Sequence, residues 1–249
     1  TLRGSFTLLA VHADNPGVIV GVRRNSPLVL GVGDNEYFLA SDVAAFIEYT
    51  KRAVELGQDE IVVITPDGFE ITDLDGNAQT PREYQVTWDA EAAQKGGFSH
   101  FMLKEIFEQP KAVADTLIGR LTDNNQIELD ELKMSDEEIR ALKKIVVIAC
   151  GTAYHAGMIA KYAIEKWAKI SVEVEIASEY RYRDPIIDAQ TLVIAISQSG
   201  ETMDTLMALR HAKAAGARVL AICNTNSSTI PRESDAVLYT HAGPEIAVA

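Results

Sequence analysis

The feature that most constrains this chain is a series of apolar segments, beginning at Lys144, that alternate with segments of helical character. Lys144–Ala149, Ser171–Ile176, Leu192–Ile196, Arg218–Ile222 and Ala236–Tyr239 read as strands, with helices over Ala156–Ala168 and Thr202–Ala215. Unbroken runs of Val, Ile and Leu mark strands buried on both faces. Helical connections make the predicted fold class α/β, a doubly wound parallel sheet, and such sheets bind ligands beyond the carboxyl ends of their strands.

The chain before this point is patterned differently. Ser5–His12, Val18–Arg23, Leu28–Val32, Glu36–Ala40, Glu60–Thr65 and Gly68–Leu74 are short apolar runs, and Thr1 reads as lying mid-strand. Strands so closely spaced must be mostly antiparallel, because a parallel crossover needs about a dozen residues or more. Asp14-Asn15-Pro16-Gly17, Asp34-Asn35, Pro66-Asp67-Gly68 and Asp75-Gly76-Asn77 supply the turns. Ser41 is the expected N-cap of a short helix reaching Tyr49. Between these regions the chain is more polar, with Pro81 and Gly96-Gly97 as breakers and helical periodicity from His100 to Gln109. Ser135-Asp136-Glu137-Glu138 fits a capping box opening a helix that reaches Lys143. The expected organisation is a β-rich unit over residues 1–77, a linker with helices over 78–143, and the α/β unit over 144–249. The chain begins without Met and stops abruptly at Ala249, so it is expected to be a segment of something longer.

Charge narrows the partners. Thirty-six acidic against 23 basic residues give a formal net charge of −13, which repels nucleic acid and anionic membranes at long range. No stretch approaches the roughly 20 apolar residues that span a bilayer. Cys150 and Cys223, the only cysteines of the 249 residues, lie in no CxxC or zinc-spaced pattern, as suits a reducing cytoplasm. A local anion site remains compatible with an acidic protein, because helix N-termini bind phosphate without a basic surface.

Two junctions could do this. Cys150-Gly151-Thr152-Ala153 follows the first strand of the α/β region, and Ser197-Gln198-Ser199-Gly200-Glu201-Thr202 follows the third. Each leads from a strand into a helix, where free N–H groups and the helix dipole favour an anion. The hydroxyls of Ser197, Ser199 and Thr202 and the amide of Gln198 add neutral donors, and Gly200 admits close backbone approach. Ser and Thr at such places also serve as plain N-caps, worth about 1 kcal/mol. Glu201 favours that plainer role, since a carboxylate beside a phosphate costs energy unless it turns away or orients a ligand hydroxyl.

The string Ser197-Gln198-Ser199-Gly200-Glu201-Thr202 resembles the Ser-x-Ser-Gly-x-Thr phosphosugar loop of the sugar isomerase (SIS) family. Within that family the chain is similar to the glucosamine-6-phosphate synthases. The similarity runs through Lys104–Pro110, Ala149–Thr152, Glu175–Arg183 and Arg232–Asp235, with Ser26–Val29 and Leu39–Asp42 resembling the later part of the glutaminase domain. The resemblance implies a flavodoxin-like SIS domain preceded by a β-rich remnant of an Ntn-hydrolase type glutaminase. It also implies a cytoplasmic aminotransferase that passes glutamine-derived ammonia to fructose 6-phosphate and makes glucosamine 6-phosphate. By that analogy Ser197, Gln198, Ser199 and Thr202 hold the phosphate, Cys150, Gly151, Thr152 and Ala153 line the sugar, and Val248 lies near it. Ala153 stands where many relatives carry Ser, which removes one hydroxyl. The resemblance implies pairing of SIS domains into a homodimer. No P-loop, HExxH or EF-hand string appears, so no cofactor or metal is expected. The resemblance also implies that the catalytic residues lie outside these 249 residues, so that the fragment alone binds sugar phosphate without completing the reaction.

A non-catalytic phosphosugar sensor is the leading rival and a stand-alone isomerase the third reading, against which the β-rich beginning argues. A DNA-binding sensor would need a basic helix-turn-helix, and the sequence has none. His155 reads as a ligand contact or a helix-start histidine. Arg181 and Arg183 read as partner contacts or a solvated turn, and Cys150 as a small lining thiol rather than a nucleophile. His211 and Lys213 suit the C-terminal end of a helix dipole. Gly31-Val32-Gly33 lacks the remainder of a dinucleotide fingerprint.

Overall fold

The computed structural model describes residues 2, 6–86, 95–121, 124, 126–226 and 228–247. Thr1, Ser5, residues 87–94 of the expected linker, and Val248 lie outside the described residues. The chain divides into two compact units, Thr1–Lys104 with Pro244–Ala249, and Glu105–Gly243.

The first unit holds two antiparallel sheets. One has the order β1 (Phe6–His12), β2 (Asn15–Arg24), β6 (Ile61–Thr65), β7 (Gly68–Thr72), and the other β4 (Tyr37–Ala40), β3 (Val29–Val32), β5 (Arg52–Glu55), β8 (Arg82–Gln85). Leu28, Leu30, Val32, Val54, Leu56, Val62, Ile64 and Ile71, drawn from both sheets, form one core, while Val29, Phe46, Ile47, Ala53 and Val86 form another on the opposite side of β3 and β5. Alternate residues of a strand face opposite ways, so Val29 and Leu30 serve different cores. β5 and β8 were not expected: each is four residues long and mostly polar or flanked by charge, so neither carries a strong period. The short helix expected from Ser41 is a single 3-10 turn, Val43–Ala45, and its N-cap is Asp42, whose Oδ1 accepts the Ala44 N–H at 2.7 Å. Gly31 belongs to β3 and lies under Phe46, whose ring is 2.7 Å from where a Cβ would sit. Its lack of a side chain is a packing matter, and it lies within a strand rather than in a phosphate loop.

The second unit is the expected parallel sheet, order β10 (Ser171–Ile176), β9 (Lys144–Ala149), β11 (Thr191–Ser197), β12 (Arg218–Cys223), β13 (Ala236–Tyr239). All four pairings are parallel. One face is covered by α4 (Ala177–Arg183), α5 (Met203–Ala214) and α6 (Thr229–Glu233), which with the sheet bury Tyr180, Leu206, Leu209 and Ile230 completely. The other face packs Ile145, Val147, Val172 and Leu192 against Ile164 of α3 (Gly151–Ala168) and against Leu132, Met134 and Leu142. Each fully buried aliphatic side chain of this kind contributes about 1.5–3 kcal/mol.

Upstream, α1 (Phe101–Leu117) runs through Pro110, past the expected stop at Gln109. α2 (Asp136–Ala141) has the capping box read from sequence: the Glu138 N–H donates to Ser135 Oγ at 3.2 Å and the Ser135 N–H to Glu138 Oε2 at 2.7 Å. α4 and α6 were not expected, being only seven and five residues long. The strand order reverses at β9, from which the chain moves first to β10 and then back across to β11. The carboxyl ends of β9 and β11 therefore flank the switch point, where open α/β sheets bind ligands.

Candidate functional site at the β9 and β11 carboxyl ends

Both predicted junctions lie at that switch point. The first differs in form from the expectation, because Cys150–Ala153 is no loop. Cys150 is the N-cap of α3, and Gly151, Thr152 and Ala153 are its first turn, five residues before the start read from sequence. Gly151 takes φ +57°, in the left-handed region that a glycine enters without strain, and this turns the chain from strand directly into helix. Cys150 makes no side-chain capping bond, so the α3 N-terminus is left to other partners. Thr152 is exposed and Ala153 half-buried.

The second junction is a true loop. Ser197 ends β11, is 3% exposed, and its Oγ accepts the Gly200 N–H at 3.0 Å. Ser197 Oγ and Thr202 Oγ1 are 3.0 Å apart and share a hydrogen bond that closes the loop on itself. Ser199 Oγ accepts the Glu201 N–H at 3.2 Å. A serine oxygen that accepts an amide proton still has its own O–H to donate, so the loop holds its hydroxyls in place while keeping donor capacity. The Gln198 carbonyl accepts the N–H groups of Asn224 and Thr225 at 3.1 and 3.2 Å. Thr202 is the N-cap of α5 and spends no side-chain bond on the first turn.

The two junctions meet. Thr205, in the first turn of α5 and fully buried, directs its Oγ1 to within 4.0 Å of Cys150 Sγ. Beneath the loop, Cys223 pairs in register with Ser197, and burial pushes its thiol up to about 12. It is a neutral packing group at any ordinary pH.

Glu201, which argued for a plain cap, bonds instead to the start of α6. Its Oε1 accepts the Thr229 N–H at 2.8 Å and the Thr229 hydroxyl at 3.0 Å. Thr205, Ser228 and Thr229 were missed as parts of this site. The signal for the last two was present, since Ser228-Thr229-Ile230-Pro231 reads as an N-cap followed by proline in a first helical turn.

A family model described as "SIS domain" matches residues 138–249. That stretch, which takes in the parallel sheet, is therefore similar to SIS domains. A curated "Glutamine–fructose-6-phosphate aminotransferase [isomerizing]" of Streptomyces coelicolor is 68% identical over 248 residues, and one of Mycolicibacterium smegmatis 63% identical over 253. Each match takes in 100% of this chain, which spans 40% of the length of either relative. Among solved structures, the "C-terminal domain of glucosamine-fructose-6-phosphate aminotransferase from Francisella tularensis" aligns with TM-score 0.58 and 48% identity, over 63% of this chain and 44% of its own.

The remaining sequence candidates have contacts of their own. His155 is exposed on α3, its ring edge-on to Tyr154 at 5.6 Å. Arg181 lies over the Tyr182 ring at 4.6 Å, and Arg183 pairs with Glu175 at 2.5 Å. Lys213 bonds the Glu233 carbonyl and Asp235, both at 2.8 Å, so it ties α5 to α6 as well as suiting the helix dipole. Among the described residues, no cluster of three or more His, Cys, Asp or Glu could hold a metal, and no helix is long and apolar enough to cross a membrane.

Proposed function

We propose that this chain holds the sugar phosphate of a glutamine-dependent fructose-6-phosphate aminotransferase, a cytoplasmic enzyme that makes glucosamine 6-phosphate. In this reading residues 1–77 are the later part of the glutaminase domain, 78–143 the connection, and 144–249 the first SIS domain, through which two copies pair. The phosphate lies against Ser197, Gln198, Ser199 and Thr202, and the sugar against Cys150, Gly151, Thr152 and Ala153, with Val248 nearby.

One observation carries the reading: the side-chain-uncapped N-termini of α3 and α5 come together at the switch point, beside the hydroxyls of Ser197 and Ser199, whose oxygens already accept loop amides. Helix N-termini and neutral donors stabilise a phosphate without lysine or arginine. The names of the relatives supply the substrate class.

Calorimetric titration with fructose 6-phosphate and glucosamine 6-phosphate tests it, with fructose as the control. Saturable binding of the phosphorylated sugars, weakened by both Ser197→Ala and Ser199→Ala, is expected. Equal affinity for fructose, or indifference to both substitutions, would place the sugar elsewhere.

A further inference from the structure

We propose that Glu201 is a positioning residue that sets the shape of the phosphate loop from behind. The inference rests on the reading of Ser197–Thr202 as the phosphate-holding segment. Glu201 stands between Gly200 and Thr202. A carboxylate there would oppose an anion if it faced the loop's concave side.

Instead, residues 200 and 201 are fastened to the start of α6 by three hydrogen bonds. The Gly200 carbonyl accepts the Ile230 N–H at 2.9 Å, and Glu201 Oε1 accepts both donors of Thr229, a residue 1% exposed. The same approach explains Gly200. Its φ is +66°, and a Cβ there would lie 1.9 Å from Ser228 Oγ. α6 is a firm support, because Glu233 takes Arg210 of α5 in a two-point ion pair at 2.8 and 2.6 Å. The loop therefore hangs between its own helix α5 and the α6 turn, and Glu201 is the side chain that ties it to the latter. Both Thr229 donors go to the one oxygen, Oε1.

Charge and position predict opposite signs for one substitution. Glu201→Ala removes a negative charge near an anion, which by Coulomb's law alone strengthens phosphate binding. As a positioning residue, Glu201 leaves the loop untied when it is truncated, and binding weakens. Glu201→Gln keeps the accepting oxygen and removes only the charge.

The test titrates the chain and its variants with fructose 6-phosphate and with inorganic phosphate, alongside thermal melting without ligand. Glu201→Ala is expected to weaken both by about tenfold or more, the usual effect of losing hydrogen bonds to a charged group. Glu201→Gln should stay within about threefold of the unaltered chain, because its neutral amide oxygen still accepts the Thr229 donors. Thr229→Val, which removes one of the two donors and keeps the other, should weaken binding by an intermediate amount, and it decides the matter if Glu201→Ala fails to fold. Unchanged or tighter binding by Glu201→Ala, or by Thr229→Val in its place, overturns the inference and leaves the phosphate site standing. A Glu201→Gln variant as weak as Glu201→Ala also overturns it, since keeping the accepting oxygen would then not keep binding. Failure of the unaltered chain to bind either ligand overturns the reading of the site itself, and the inference with it.

Discussion

The two units solve the same problem, burying apolar strands, in ways that leave very different opportunities for chemistry. β6 in the first unit alternates half-buried and buried residues, whereas β9 in the second is buried at five of six positions. An antiparallel sheet with one covered face needs apolar residues only at every second position, and a parallel sheet packed by helices on both faces needs them throughout. The connections differ in consequence. Tight turns send successive antiparallel strands in opposite directions, so their ends are shared between two edges. Helical returns bring every parallel strand's carboxyl end to one edge, where helix N-termini gather. The proposed anion site uses that edge, and the described antiparallel sheets of the first unit offer no such gathering.

The sharpest way to break this comparison is to remove buried bulk from each unit. Ile148→Ala, at a fully buried position of β9, should cost about 2–5 kcal/mol in urea unfolding. Leu8→Ala, on a strand whose residue is 45% exposed, should change stability by no more than about 0.5 kcal/mol. Equal costs would mean that β1 is covered in solution.

Next in size are two glycines with left-handed backbone. Gly200→Ala meets Ser228 as well as the φ penalty, so it should lose about 1–3 kcal/mol and with it sugar-phosphate binding. Gly76→Ala, at φ +85° with open space around the added carbon, should lose about 1 kcal/mol and leave binding unchanged. Binding lost in both would argue against a local role for the loop.

Alkaline pH separates the units further. Burial pushes Cys223 up to about 12, while an unfolded thiol ionises near 8.5. The native state then keeps a proton that the unfolded state releases, so stability falls as pH rises from about 8.5 toward 12. Cys223→Ala should flatten that slope in melting curves taken across the window. In the first unit burial likewise holds Tyr84 at about 12, and its loss should begin only above about pH 10.

The smallest effect concerns Tyr180. Its ring is fully buried, and its hydroxyl has no hydrogen-bond partner among the described residues. Tyr180→Phe should therefore be neutral or stabilising by up to about 1 kcal/mol in the same urea experiment.

Much of the second unit was legible because its signals are strong and local. The limits of β9, β10 and β13 agree with the expected strands, since long apolar runs bounded by charge or turn residues admit few alternatives. The Ser135 capping box is a four-residue pattern that acts entirely within itself. The early start of α3 was hidden by Gly151 and Thr152, both poor helix formers that a switch from strand to helix nevertheless uses. β5, β8, α4 and α6 were hidden because short elements are stabilised by what they pack against rather than by their own pattern.

By itself, then, the sequence determined the alternation of strands and helices, the fold class that follows from it, and the two strand-to-helix junctions of the proposed site, because periodicity and turn chemistry are properties of neighbouring residues. Only the tertiary structure decided that Thr205 joins those junctions through Cys150, that Glu201 turns its carboxylate onto Thr229, and that Gly200 must be glycine because Ser228 lies against it. Those partners are up to 55 residues apart in the chain, and their contacts depend on how the sheet stacks its connections, which no local pattern specifies.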